Sequence, residues 1–297
     1  GGGTVTTVPA EPDPHMQRLL ARRLSVLAMA GTGSSASALP QLERFERALS
    51  SVDIAVEPRV QLVPPAVGGG EWPLPLDESV AVLDSSFNPP TCAHVHLLRS
   101  AAARFGVRRR MLLLAKQNAD KPVVGASLPH RLQMMELLAR EEVEGSTVCG
   151  VTAHPLFVDK ARALRALCGP GATIFLLVGY DTWERVVDPK YYPEGRRDDA
   201  LRSLFGTVEV VVTSRDSASA STMAPGLSAE GQAAAVRSGL PAEVTHGRLH
   251  FMPNDEALAA VSSSAARGAL AGDDPAAAAE VLPDCIRAYA KEHGLYE

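Results

Sequence analysis

From Glu78 onward, short apolar runs alternate with stretches whose apolar residues recur every three or four positions. The first pattern is typical of buried strands and the second of amphipathic helices. Strands are predicted at Val80–Leu83, Met111–Leu114, Thr147–Val151, Thr173–Val178, Val208–Thr213 and Arg248–Met252. Helices are predicted at about 92–105, 128–140, 158–168, 196–205 and 229–238. Such alternation predicts an α/β fold with a parallel sheet, helices on both faces and ligands at the carboxyl ends of the strands.

The first quarter of the chain has a different pattern. Helical spacing is present at about 15–30 and 40–51, and the Pro/Gly-rich stretch Val63–Pro75 follows. We therefore expect a partly helical N-terminal extension over 1–75 and one main domain over 76–297. Arg18–Ala38 also imitates a targeting peptide, although its leucines share one helical face. We expect a cytoplasmic or nuclear location and leave organelle targeting open.

Composition narrows the class of protein. Of 297 residues, 46% are hydrophobic and 21% charged, as in ordinary globular proteins. The net charge of −5 argues against a nucleic-acid partner but leaves room for a local basic pocket. No apolar run approaches the ~20 residues of a membrane span, so we expect no membrane partner. The four cysteines are dispersed, without metal-ligand spacing, and we expect no metal bound by the protein itself. The oligomeric state is left open.

The main chemical signal is Ser85-Ser86-Phe87-Asn88-Pro89-Pro90-Thr91-Cys92-Ala93-His94, which directly follows the first strand. It reads as a small-residue turn leading into a helix. Free backbone N–H groups at a helix N-terminus, next to a histidine, suit phosphate binding. After the last strand, Ser262-Ser263-Ser264 and Arg267 offer a helix cap, hydroxyl donors and a cation one turn later.

Together these stretches resemble the (H/T)xGH and ISSTxxR motifs of the nucleotidyltransferase superfamily. The Phe-Asn-Pro core and the tail Val281–Tyr296 look most like the nicotinamide mononucleotide adenylyltransferases, over residues 79–297. The segments His130–Met135 and Phe157–Lys160 look closest to a divergent, mainly fungal branch of that family. The resemblance implies a Rossmann-like nucleotidyltransferase fold. It also implies direct in-line attack of the mononucleotide phosphate on the α-phosphorus of ATP. Ser85 and Ala93 depart from the pattern, because glycine is usual at both positions.

The resemblance implies roles for three groups of residues. Catalysis is assigned to His94 and Arg267, which would stabilise negative charge in the transition state. ATP and its phosphates are assigned to Ser85, Ser86, Phe87, Thr91, Ser262, Ser263, Ser264 and Arg215. The mononucleotide is assigned to Asn88, Lys116, Lys121, Gly179, Asp181 and Trp183. The implied partners are ATP and nicotinamide mononucleotide, with Mg²⁺ bridging the ATP oxygens and keeping most of its waters.

Several alternatives remain open at this point. Trp183 either stacks on the pyridine ring or packs against the sheet, and Asp181 either binds the nucleotide or caps a helix. Which of Lys116 and Lys121 meets phosphate is undecided, and Arg215 clamps a triphosphate or lies on the surface. A related transferase with another phosphate acceptor competes with the main hypothesis. So does a nucleotide-binding regulatory protein without turnover. The amide and acid forms of the mononucleotide are not distinguished.

Overall fold

A computed structural model describes residues 38–63, 78–117, 125–141, 146–215, 226–272 and 274–297. Compact packing divides the chain into residues 1–43 and residues 44–297. Of the first unit, only 38–43 are described, and they begin helix α1 (Ala38–Ser50). The helix predicted at about 15–30 lies outside the described residues, as does almost all of the targeting-like segment.

The second unit is built on a seven-stranded sheet. Its strands are β1 (Gln61–Leu62), β2 (Ser79–Asp84), β3 (Arg109–Ala115), β4 (Ser146–Thr152), β5 (Thr173–Gly179), β6 (Glu209–Thr213) and β7 (Leu249–Met252). They lie in the order β1-β4-β3-β2-β5-β6-β7. Every neighbouring pair is parallel except β1 and β4. The six predicted strands are confirmed, each to within two residues at either end.

Helices connect the strands and cover the sheet. After α1 they are α2 (Cys92–Phe105), α3 (Leu128–Glu141), α4 (Phe157–Cys168), α5 (Tyr180–Val187), α6 (Arg197–Thr207), α7 (Ala229–Ser238), α8 (Ala242–Thr245), α9 (Glu256–Ala259), α10 (Ser263–Ala271), α11 (Pro275–Val281) and α12 (Asp284–Glu292). The five predicted helices are confirmed as α2, α3, α4, α6 and α7. A 3₁₀ turn at Pro189–Tyr191 follows α5.

Two hydrophobic layers enclose the sheet. Val80 and Val82 of β2 share one core with Leu164 of α4 and Phe205 of α6. Side chains alternate between the faces of a strand, so Ala81 and Leu83 point to the other face, and both are buried. Helix α2 packs on β2, β3 and β5, and α3 packs on β3 and β4. The predicted α/β architecture with helices on both faces is therefore confirmed.

The region before the main sheet differs from the predicted division at residue 75. Gln61 and Leu62 pair antiparallel with Val151 and Gly150 at the edge of the sheet. Residues 44–63 consequently belong to the same compact unit as the strands that follow. A two-residue strand is too short for period-two alternation to mark it in the sequence.

None of the helices in the described part of the chain is long and apolar enough to cross a membrane.

Candidate active site

A cavity of about 440 Å³ opens at the carboxyl ends of β2 and β5. The chain runs outward from β2 through β3 to β4 and then returns to β5, directly beside β2. This reversal of strand order creates a crevice in which open α/β sheets bind ligands. The polar side chains that line it include Asp84, Ser85, Ser86, Asn88, Thr91, His94, Arg131, Lys160, Asp181, Arg215, Ser262, Ser263, Ser264 and Arg267.

His94 is held at the first turn of α2 by hydrogen bonds to both ring nitrogens. The backbone N–H of Thr91 donates to His94 Nδ1 at 2.9 Å, and Thr91 Oγ1 lies 2.8 Å from the same nitrogen. Nδ1 is therefore an acceptor, which assigns the ring proton to Nε2. Nε2 lies 3.0 Å from Ser85 Oγ. The imidazole thus presents an N–H donor on its cavity side.

The charge state of His94 follows from its surroundings. Burial, and to a smaller extent the nearby positive charge of Arg215, lower its pKa from 6.5 to about 3. Both causes disfavour the charged imidazolium. At neutral pH His94 is an uncharged hydrogen-bond donor, which can stabilise a phosphate oxygen without undergoing proton transfer.

The residues around His94 explain the two departures from the motif. Ser85 replaces a glycine and supplies the hydroxyl bonded to Nε2. Neither Ser85 nor Ala93 adopts the left-handed backbone conformation that would require glycine. Phe87 does, with φ of 44°, and its fully buried ring lies 5.1 Å from the His94 ring. The Phe87 side chain therefore packs against the histidine, and a contact of this residue with ATP stays a prediction.

The serine-rich motif forms the N-terminus of α10. Ser262 caps the helix by accepting from the N–H of Ala265, and Ser263 Oγ donates to the Pro89 carbonyl at 2.8 Å. Arg267 Nη1 donates to the Asn88 carbonyl at 2.7 Å, and Nη2 donates to Ser264 Oγ at 3.1 Å. The bonds to Pro89 and Asn88 join residues 174 and 179 positions apart and bring the two predicted motifs to one wall of the cavity.

The segment after β5 contributes Gly179 and Asp181. Arg215 Nε donates to Asp181 Oδ1 at 3.3 Å, which joins a predicted mononucleotide residue to a predicted triphosphate residue. A Cβ on Gly179 would lie 2.8 Å from Asp181 Oδ1 and 3.1 Å from Arg215 Nε. Any larger residue here would therefore make the paired side chains of Asp181 and Arg215 shift. Arg215 lines the cavity and its side chain is only 29% exposed. The structure therefore supports a cavity-lining cation rather than a surface arginine.

Two predicted mononucleotide contacts are not supported by the geometry. Trp183 is 3% exposed and belongs to the hydrophobic core, with its ring edge-on to Phe205. The packing interpretation therefore replaces the stacking one. Lys116 Nζ donates to the carbonyl of Leu49, in the last turn of α1, and to that of Val52, just beyond the helix, both at 3.0 Å. A cation suits free carbonyls at a helix C-terminus, and Lys116 does not line the cavity. Lys121 lies outside the described residues.

The side chain of Asn88 also holds neighbouring segments of the site together. Its Oδ1 accepts from the N–H of Ala126 at 3.2 Å and from the hydroxyl of Tyr296 at 3.0 Å. The motif is thereby tied to the loop before α3 and to the C-terminal segment. Asn88 also lines the cavity, so its contact with the mononucleotide remains a prediction.

Several residues at the site were not identified from the sequence. Arg131 is 2% exposed and donates to the carbonyls of Ala126 and Ser86, which fixes the motif loop. Gln232 is fully buried and bonds both the N–H and the carbonyl of Arg215. Lys160 pairs with Asp84 at 2.7 Å inside the cavity. Among these residues only Asp84 had a signal in the sequence, as a carboxylate that directly follows an apolar run.

Known proteins with similar sequences include adenylyltransferases of pyridine mononucleotides. A family model described as Cytidylyltransferase-like matches residues 82–269. A "Putative nicotinamide mononucleotide adenylyltransferase" of Schizosaccharomyces pombe is 38% identical over 141 residues, 47% of this chain and 55% of that protein. This chain therefore spans about half the length of that relative. A "Probable nicotinate-nucleotide adenylyltransferase" of Bordetella parapertussis is 30% identical over 73% of this chain and 97% of that protein.

Solved structures share the fold. A Plasmodium falciparum nicotinic acid mononucleotide adenylyltransferase complexed with NaAD covers 74% of this chain and 97% of its own, with 14% identity and a TM-score of 0.53. The same enzyme complexed with APC gives a TM-score of 0.52 at 12% identity. The sheet is thus that of an α/β nucleotidyltransferase fold. Within that class, this chain belongs to the cytidylyltransferase-like family.

Proposed function

We propose that this protein transfers the adenylyl group of ATP to nicotinamide mononucleotide, producing the dinucleotide and pyrophosphate. The observation that carries this proposal is that the neutral N–H donor of His94 and the cation of Arg267 line the same cavity. The names of the relatives add support for a pyridine mononucleotide as the acceptor, in its amide or its acid form.

The reaction needs no covalent intermediate with the enzyme. A phosphate oxygen of the mononucleotide forms the new bond to the α-phosphorus of ATP. The bond from that phosphorus to the bridging oxygen breaks, and pyrophosphate leaves with the electron pair. Negative charge grows on the α-phosphate oxygens and on the leaving group. Positioning and electrostatic stabilisation then supply the catalysis.

The residues of the cavity divide this work. His94 Nε2–H would exchange its bond to Ser85 for one to an α-phosphate oxygen. Ser264, in the first turn of α10, and Arg267, one turn later, would hold the outer phosphates, because N–H groups and a cation converge there. Mg²⁺ would enter as part of the ATP substrate. Asp181, a carboxylate that lines the cavity and pairs with Arg215, is suited to a contact through the waters of Mg²⁺.

One assay tests this function. Purified protein is supplied with ATP, Mg²⁺ and one acceptor at a time: nicotinamide mononucleotide, nicotinic acid mononucleotide or phosphopantetheine. We expect dinucleotide and pyrophosphate in equal amounts with the first. The His94→Ala variant should lower kcat by roughly 10²–10³ with little change in nucleotide affinity. Product only with phosphopantetheine would assign a different acceptor. Tight nucleotide binding without any product would instead indicate a regulatory protein.

A further inference from the structure

Asp84 and Lys160 form a buried ion pair inside the cavity. Asp84 is the last residue of β2, and Lys160 lies at the fourth position of α4. Lys160 Nζ lies 2.7 Å from Asp84 Oδ2, and the side chains are 5% and 9% exposed, respectively. Both residues line the cavity. The mechanism proposed above assigns no chemical step to this pair.

The pair keeps unused hydrogen-bonding capacity. Asp84 Oδ1 is buried and accepts no hydrogen bond within the part of the chain that the structure describes. Among the same residues, Lys160 Nζ donates one hydrogen bond, to Asp84, and lies 4.4 Å from the centre of the Phe157 ring. An ammonium group has three donors, and buried polar groups are normally satisfied. An acceptor and a donor are therefore available side by side.

The position of the pair separates it from the phosphate motifs. Val80 and Val82 point into the core shared with α4, so the alternation along β2 places Asp84 on the same side, where Lys160 meets it. His94 belongs to α2, on the opposite face of the sheet. Asp84 and Lys160 thus line the cavity from the face of the sheet opposite to the one that carries His94.

The chemistry of the pair restricts the group that it can bind. One negative and one positive charge already neutralise each other, so a neutral ligand group fits best. That group must donate to Asp84 and accept from Lys160. A primary carboxamide meets both demands, and so does a ribose diol. A carboxylate or phosphate has no donor for Asp84 and is repelled by its charge.

We propose that Asp84 and Lys160 bind the pyridine mononucleotide through a neutral group that both donates and accepts hydrogen bonds. This inference rests on the proposed function and makes the pair a determinant of mononucleotide specificity. The carboxamide of the pyridine and the diol of the ribose are the two sources of such a group. The acid form of the mononucleotide keeps the diol and lacks the carboxamide, so it distinguishes them.

The test uses Asp84→Leu, Lys160→Met and the double variant. Breaking a buried pair leaves one charge uncompensated, whereas removing both with apolar residues of similar volume is tolerated. The double variant therefore decides the outcome if the single variants fail to fold. Glu136→Gln is the matched control, since Glu136 is a buried ion-pair acid that does not line the cavity. KM is measured for ATP and for both mononucleotides, and folding is checked by thermal unfolding.

We expect the KM for nicotinamide mononucleotide to rise about 10-fold or more in the double variant, the usual loss for hydrogen bonds to charged groups. The KM for ATP and the kinetics of Glu136→Gln should change less than twofold. A larger effect on the amide than on the acid form identifies the carboxamide, and equal effects identify the ribose diol. An unchanged mononucleotide KM in the folded double variant, or an equal rise for ATP, overturns the proposal.

Calorimetric titration with nicotinamide mononucleotide alone separates this inference from the proposed function. If the wild type binds the mononucleotide and the double variant loses that binding, the pair is supported even without adenylyl transfer. If the wild type produces dinucleotide but the double variant binds and turns over normally, only the inference about the pair fails. Absence of mononucleotide binding by the wild type overturns both.

Discussion

The buried, neutral state of His94 makes a quantitative prediction about acid stability. Its pKa is about 3 in the folded protein and 6.5 without the surrounding structure. Between these values the unfolded chain binds a proton that the folded chain does not. Stability therefore rises with pH across this window and is lost as the pH falls.

The magnitude follows from the two pKa values. Each pH unit inside the window is worth about 1.36 kcal/mol, and the window opens gradually near pH 6.5. Between pH 7 and pH 5, His94 alone should cost the folded state about 2 kcal/mol. Burial also lowers the pKa of His130, which contributes in the same direction. That contribution is common to all variants that retain His130, so it cancels in a difference.

The experiment compares urea unfolding of the wild type and His94→Gln at pH 7 and pH 5. The variant should lose about 2 kcal/mol less than the wild type over this interval, because glutamine binds no proton. His96→Gln is the control, since His96 lies on the same helix, is half-buried and bonds Ser100 outside the cavity. It should retain the pH dependence of the wild type. Equal losses in wild type and His94→Gln would refute the assignment of a buried neutral imidazole.

Three further predictions concern the other residues. Arg267→Ala should weaken ATP binding more than AMP binding, measured by calorimetry, whereas equal losses would contradict a contact with the outer phosphates. Trp183→Ala should cost about 3–5 kcal/mol of unfolding free energy and leave the mononucleotide KM of the folded fraction unchanged. A raised KM would restore the stacking interpretation. Lys116→Met should lower the melting temperature without changing the mononucleotide KM, and a raised KM would return Lys116 to the binding site.

The sequence predicted the elements whose local residue pattern reflects their burial in the fold. Strands of a parallel sheet are covered on both faces, so they are continuous apolar runs, and all six were located from that pattern. The edge strand Gln61–Leu62 escaped detection because two residues carry no periodicity. The helix starts at Cys92 and Ser263 were signalled by the small polar residues that precede or begin them.

The sequence predicted only part of the site, because the surroundings of a side chain depend on tertiary packing. The sequence does not show whether a charged or aromatic side chain on a helix faces solvent, the core or a cavity. Lys160 belongs to an amphipathic helix and is drawn inside because Asp84 ends the strand opposite it. Trp183 follows the Gly-x-Asp segment closely, yet the direction of α5 turns it into the core. Lys116 donates hydrogen bonds to two carbonyls that lie more than sixty residues earlier in the chain.

By itself the sequence determined which segments form strands and helices, and which short motifs can bind phosphate, because backbone conformation and capping depend on neighbouring residues. Only the tertiary structure decided which motif faces which. Arg267 reaches the carbonyl of Asn88 across 179 positions, and Asp84 meets Lys160 across 76. Burial, the pKa of His94 and the partners of each charge come from such long-range contacts, since a side chain's dielectric surroundings and neighbours exist only once the chain has packed.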